Sequence, residues 1–204
     1  MLKFQRSPTH AASGDAASQG GVVVEFELND GAFERTLPYS QIIKDDESIT
    51  MLFQALHTID EGYPVFPLKP RCKTPIYEGG FHIATRDKKQ VVEWWTAHPE
   101  ANIGVPTGKV SGISVIDVDG PKGLESISKM SGRLPKAFRK HGTPHGYHLI
   151  CLYNCAFHNK NGVLPGVDIK NDGGYVVWFG SIVECTKGCE EQHSPRYTIM
   201  EVTP

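Results

Sequence analysis

Ser111-Gly112-Ile113-Ser114-Val115-Ile116-Asp117-Val118-Asp119-Gly120 is an apolar strand that ends in two aspartates one residue apart. Alternate residues of a strand share a face, so the two carboxylates stand about 6.5 to 7 Å apart at their Cα atoms. Two acids so placed repel one another unless a cation lies between them. Hard divalent ions take carboxylate oxygens together with substrate phosphates, so the pattern suits a metal that also grips a nucleotide. A solvated pair of acids before a turn at Gly120 is the plainer alternative.

Two further stretches flank this one. In Gly142-Thr143-Pro144-His145-Gly146-Tyr147-His148-Leu149-Ile150-Cys151-Leu152, a turn rich in Gly and Pro delivers His148 to the start of an apolar strand. A histidine there can donate to a phosphate oxygen or bind a metal, or sit as a half-buried polar residue at a strand entrance. In Pro165-Gly166-Val167-Asp168-Ile169-Lys170, Asp168 and Lys170 alternate and share a face. They read either as a surface ion pair of little energetic weight or as a third acid beside a phosphate-binding cation. Asn171-Asp172-Gly173-Gly174 then predicts a tight hairpin turn before Tyr175-Val176-Val177.

The remaining chain alternates short strands with helices. Ser7 to Gly21 is rich in Ala, Ser and Gly, as a flexible leader would be. Val22 to Leu28 and Ala32 to Leu37 alternate around Asn29-Asp30-Gly31, which predicts a hairpin. Met51, Leu52, Ala55, Leu56 and Ile59 mark a helix face over 49–61. Thr85 is a candidate cap for a helix over 86–98, with Val91, Val92, Trp94 and Trp95 on its apolar, core-facing side. Strands are expected over 63–68, 102–105, 113–119, 146–153, 166–170, 175–179 and 196–202, and a short helix over 123–130.

Composition excludes several classes. The 204 residues are 39% hydrophobic and 22% charged, ordinary for a soluble globular chain. The net charge of −2 gives no global basic signature, although a local basic face would still bind phosphates. No apolar run approaches the roughly 18 to 20 residues needed to span a bilayer, and Met1 to Gly20 lacks the apolar core of a secretory signal. A cytoplasmic location, in a bacterial, archaeal or phage-infected cell, is the expectation. Five cysteines, an odd number, argue against a disulfide framework. Cys151, Cys155, Cys185 and Cys189, near His158 and His193, could hold a structural zinc ion; buried or incidental thiols are the plainer reading.

Taken in order, these landmarks resemble the primase-polymerase domain of plasmid and phage replication proteins, in the archaeo-eukaryotic primase superfamily. The resemblance runs from about Tyr63 to Tyr197, two thirds of the chain. Tyr63-Pro64-Val65-Phe66-Pro67-Leu68 precedes Lys73-Thr74-Pro75; Ala84-Thr85 leads to Trp94-Trp95 and His98-Pro99; Asn102-Ile103-Gly104-Val105 and Thr107-Gly108 precede Asp117 and Asp119; then come Thr143-Pro144, Gly146, His148, Gly166-Val167-Asp168-Ile169 and Gly173-Gly174-Tyr175.

The resemblance implies an α+β fold: an RNA-recognition-motif-like mixed sheet core with a flanking N-terminal helix-strand module. The resemblance marks out a catalytic domain (62–204); the leader (1–21) and the N-terminal hairpin and helix appendage (22–61), which has no match in the family pattern, precede it. Asp117, Asp119 and Asp168 look like the family's metal-binding catalytic carboxylates, for Mg²⁺ or Mn²⁺. His148 matches its nucleotide-binding histidine, and Lys170 stands where a basic residue approaches the triphosphate. Thr107, Gly108, Ser181 and Lys73 would line the nucleotide site. His145 departs from the pattern, which places a small residue there, and could add a phosphate contact. The implied activity is template-directed nucleotidyl transfer in DNA replication, priming, extending or both. Its partners would be a single-stranded DNA template, a primer, dNTP or NTP, and a helicase region in a longer protein, with this piece monomeric. Two rivals stand beside it. A rolling-circle replication endonuclease would need two histidines flanking one bulky residue, whereas His145 and His148 enclose Gly146-Tyr147. A non-catalytic module binding single-stranded nucleic acid would gain nothing from three converging acids, which repel the backbone.

Overall fold

The computed structural model describes residues 2–6, 21–28, 31–38, 50–130, 132–184 and 196–202. In chain order the elements are β1 (Leu2–Arg6), β2 (Gly21–Leu28), β3 (Gly31–Pro38), α1 (Met51–Asp60), β4 (Phe66–Leu68), a 3-10 turn (Gly80–Ile83), α2 (Lys88–Ala97), β5 (Asn102–Pro106), β6 (Ile113–Asp119), α3 (Gly120–Ser128), β7 (Ala137–Thr143), β8 (Gly146–Leu152), β9 (Lys160–Leu164), β10 (Val167–Lys170), β11 (Tyr175–Val177) and β12 (Thr198–Val202). They form a six-stranded sheet ordered β12-β7-β8-β6-β10-β9 and two three-stranded sheets, β11-β5-β4 and β1-β2-β3. The class is α+β, as expected. Every pairing among the described strands is antiparallel, where a mixed sheet is predicted.

Local chemistry accounts for most boundaries. Thr50 caps α1, its hydroxyl accepting from the Phe53 N–H. The cap of α2 is Asp87, whose carboxylate accepts from the Lys89 N–H, and not Thr85, whose hydroxyl accepts from the Asp87 N–H one turn earlier. The alternating runs around residues 29–30 pair as β2 and β3, with Leu28 opposite Gly31. Leu2–Arg6 adds β1 to β2, within the stretch read as a leader.

The six-stranded sheet is covered on both faces. On one, α1 and α2 bring Leu52, Leu56, Val92 and Trp95 against Ile103, Val105, Val115, Ile150 and Trp178. Trp95 is buried and its indole N–H donates to the Ala101 carbonyl at 3.0 Å, which makes it core, as expected. On the other face α3 lays Ile127 over Ile116, Val118 and Val167. No helix among the described residues is long and apolar enough to cross a membrane.

The turn at 171–174 differs from expectation. Gly174 N–H donates to the Asn171 carbonyl, yet β10 pairs with β6 and β9 while β11 pairs with β5. The segment passes from one sheet to the other instead of closing a hairpin. Buried Asn171 fixes the crossing, its amide donating to the carbonyls of Asn154 and Phe157 at 3.0 and 2.6 Å.

Candidate active site

β6 runs between β8 and β10 in the middle of the large sheet. Register sets Asp117 opposite His148 on β8 and opposite Asp168 on β10. Directly opposed side chains of an antiparallel pair share a face, so the three form one row. The row continues to His141 on β7, opposite His148. The β7–β8 hairpin, with Thr143 opposite Gly146, delivers His148 to that position.

Asp119 stands one row further along. It is opposite Gly146, and its N–H donates to the Gly166 carbonyl at 2.8 Å. A Cβ at Gly146 would fall 1.9 Å from the Val118 carbonyl oxygen, so only glycine lets β8 approach so closely. Asp119 also occupies the N-cap position of α3, but its side chain makes no capping bond. Its carboxylate is thereby left for other partners.

The side chains on this row are partly engaged with one another. His148 Nε2 lies 3.3 Å from Asp117 Oδ1, and both groups are largely enclosed. Lys170 donates from Nζ to Asp168 Oδ2 at 2.8 Å and to Asn161 Oδ1 at 2.7 Å. The Gly162 N–H donates to Asp168 Oδ1 at 2.7 Å. The two β6 acids differ. Burial raises the cost of ionising Asp117, but His148, Lys170 and Lys73 together hold its carboxyl below the usual range. Partial desolvation and the charge of Asp117 push Asp119 above it.

Asp117, His148, Lys170 and Lys73 line a cleft of about 330 Å³ between the large sheet and β11. Phe81, Asn159, Asn161, Tyr175 and Tyr197 line it too. Of these five only Tyr175 belongs to a landmark of the sequence, Gly173-Gly174-Tyr175; Phe81, Asn159, Asn161 and Tyr197 carry no motif that a sequence alone would single out. Tyr175 fixes the Lys73 segment, its hydroxyl donating to the Lys73 carbonyl at 3.0 Å. Tyr197 is buried beside His148, ring centroids 5.7 Å apart, and burial with the charges of Asp117 and Asp119 keeps its phenol protonated.

Three other expected residues stand behind the cleft. Thr107 is buried, and its hydroxyl donates to the Asn171 carbonyl at 2.7 Å. Gly108, at φ +89°, packs against Asp172, whose Oδ1 a Cβ would meet at 2.2 Å. Ser181 is buried, and its hydroxyl accepts from the Ile103 N–H at 3.0 Å. His145 is in the two-residue β7–β8 loop, its carbonyl accepting from the Gly120 N–H.

The donor types on and beside this row, the carboxylates of Asp117, Asp168 and Asp119 and the imidazole of His148, fit a hard divalent cation. Among the described residues no three His, Cys, Asp or Glu side chains converge on one point, because Asp168 is turned onto Lys170 and Gly162. The cysteines offer less. Cys151 is buried and burial pushes its thiol up to about 11, while Cys155 is exposed. Cys185, Cys189 and His193 lie outside the described residues.

No curated protein sequence matches the chain significantly. A family model does: the bifunctional DNA primase/polymerase N-terminal domain, over residues 55–201. That span takes in the second half of α1, both central sheets up to residue 201, the cleft and the acidic row. The chain therefore belongs to the bifunctional DNA primase/polymerase N-terminal family, nucleotidyltransferases of DNA replication that work on DNA and nucleotides.

Proposed function

We propose that the cleft performs metal-dependent, template-directed nucleotidyl transfer, with Asp117, Asp119 and Asp168 as the metal-binding acids. The observation that carries this reading is the row His148, Asp117, Asp168 across three neighbouring strands, whose Asp117 and His148 open onto a cleft that also holds Lys170 and Lys73. In the reaction a primer 3′-hydroxyl attacks the α-phosphorus of a nucleoside triphosphate, the new ester bond forms, and pyrophosphate leaves. Asp117, Asp119 and Asp168 would hold a divalent ion, Mg²⁺ or Mn²⁺, which would supply activation of that hydroxyl and charge neutralisation for the pyrophosphate. Lys170, Lys73 and His148 bring donors to the triphosphate oxygens, where charge accumulates as the bond breaks. Thr107, Gly108 and Ser181 act from behind, by fixing the loops that shape the cleft.

Asp117, kept ionised, is the acid best suited to hold the cation first. Ionisation of Asp119 is disfavoured by partial burial and the charge of Asp117, a repulsion that a cation between the two acids would relieve. Primer extension and de novo synthesis on single-stranded DNA with Mg²⁺ or Mn²⁺ test the reading. The wild-type chain incorporates nucleotides, and Asp117→Ala with Asp119→Ala does not. Equal incorporation by both would remove the acids from the chemistry. Single-strand binding that is unchanged by the double substitution, with no synthesis by either form, would favour a binding module instead.

A further inference from the structure

β9 and β10 are out of step beside the cleft. Val167 pairs with Leu164 and Ile169 with Lys160, so two residues on β10 span four on β9. Asn161-Gly162-Val163 therefore stand opposite the single residue Asp168, two residues in surplus, with Gly162 at φ +64°. A Cβ at Gly162 would meet nothing within 4 Å, so glycine is there for the backbone turn and not for space. Bulges of this kind re-aim groups next to active sites. This one aims two: the Gly162 N–H at Asp168 Oδ1 and the Asn161 side-chain oxygen at Lys170 Nζ.

We propose that Asn161 is a positioning residue for Lys170 in nucleotide binding, an inference that rests on the nucleotidyl-transfer reading above. An ammonium has three donors and a four-carbon stem with wide rotamer freedom. Asp168 holds one donor but also cancels the charge that a triphosphate would feel. Asn161 holds a second donor with a neutral oxygen, so it orders the ammonium without neutralising it. The third is left for a phosphate oxygen. When an incoming triphosphate draws the ammonium from Asp168, the Asn161 bond keeps it at the cleft instead of in solvent. Both residues line that cleft.

The test is a double-mutant cycle on binding of fluorescently labelled dATP with Mg²⁺, together with steady-state primer extension. Asn161→Ala weakens dATP binding about fivefold and Lys170→Ala about twentyfold, in line with loss of an ordered charge-assisted contact. The double substitution matches Lys170→Ala alone to within about twofold, because the first residue acts through the second. In extension, Asn161→Ala raises KM for dATP and leaves kcat nearly unchanged. Effects that multiply in the double variant, or Asn161→Ala binding like wild type, overturn the assignment. Wild-type chain that binds dATP in this pattern but extends no primer would sink the polymerase reading and leave the role of Asn161 in holding Lys170 intact.

Discussion

One face of β6, β8 and β10 serves two solvents. In the row through Val115, Val115 and its β8 partner Ile150 are fully buried in the main core. One step along the same face, Asp117 and His148 open onto the cleft, and one step beyond, Asp119 reaches water. No change of backbone marks the boundary. Alternation keeps the face constant, and the residue type alone passes from Val to Asp. The acidic end is thus built on a strand whose position is fixed by its dry end, which holds the carboxylates of β6 in register.

Substitutions one step apart should therefore behave oppositely. Asp117→Ala should lower nucleotide incorporation by about 1000-fold or more, the scale expected when a group needed only in the transition state is removed. Its melting temperature should fall only slightly, because the lost interactions of the carboxylate with His148, Lys170 and Lys73 are offset by relief of its burial. Val115→Ala should cost roughly 2 kcal/mol through the cavity it leaves, with incorporation at 20 °C close to wild type. Paired melts and extension assays check both; a Val115→Ala chain that is stable but inactive would erase the boundary. Gly146→Ala comes next. Its Cβ would strike the Val118 carbonyl, so the β7–β8 hairpin must shift away from Asp119. A loss of about 3 kcal/mol in urea unfolding is expected, with weaker incorporation because His148 moves along with the hairpin.

The acidic row was legible because its strands are apolar and regular: the predicted span 113–119 is the observed β6. The Asp168–Lys170 alternation was equally readable, but not whether the two would pair, which depends on the neighbouring β9. β7 and β9 were not legible. Arg139-Lys140-His141 shows no apolar alternation, since Arg139 pairs through its two terminal nitrogens with Glu61, at 2.6 and 3.0 Å, and His141 is covered by Trp178 and Phe179, all distant in sequence. Asn161-Gly162 looks like a turn and is a bulge inside a strand. The sheet-to-sheet crossing at Asn171 reads like a hairpin because its deciding bonds go to Asn154 and Phe157. What sequence conceals here is long-range satisfaction of polar groups.

His141 tests the dry side of the boundary with a smaller effect. It is fully buried, neither ring nitrogen has a partner among the described residues, and Trp178 and Phe179 pack edge-to-face on it at 4.7 and 5.2 Å. Burial, with the charges of His148 and Arg139, lowers its pKa to about 3. An unfolded histidine takes up its proton near pH 6.5. Between those values the unfolded chain binds the extra proton, so stability falls as pH drops, by up to about 1.4 kcal/mol per pH unit from this one group. Above pH 6.5 neither state is protonated and the contribution vanishes. His141→Leu should flatten the urea midpoint between pH 6.5 and 4.5 relative to wild type, and should leave stability at pH 7.5 equal or higher, because an unpaired buried polar group has been replaced by an apolar one. Parallel pH profiles for the two chains would show that His141 is not kept neutral by the core.

The smallest effect belongs to the opposite wall. Tyr175→Phe removes one hydroxyl, the donor to the Lys73 carbonyl, while the ring keeps its edge-on contact with Phe66 at 5.3 Å and its place beside Phe81. The bond is at an exposed position, so water can replace the lost donor and the stability cost should stay near 0.5 kcal/mol. Function should register more than stability does. Lys73 is on the rim of the cleft, its carbonyl is the anchor point, and its ammonium helps keep Asp117 ionised. Freed at the carbonyl, the segment samples more positions, and each binding event must order it again. KM for dATP should therefore rise about two- to threefold with kcat unchanged, a split that a general loosening of the fold would not produce. If KM stays at the wild-type value, Lys73 is placed by its own loop and the cleft's second wall is rigid without Tyr175; if kcat falls instead, Tyr175 reaches the reacting atoms and the chemistry extends across the cleft from the acidic row.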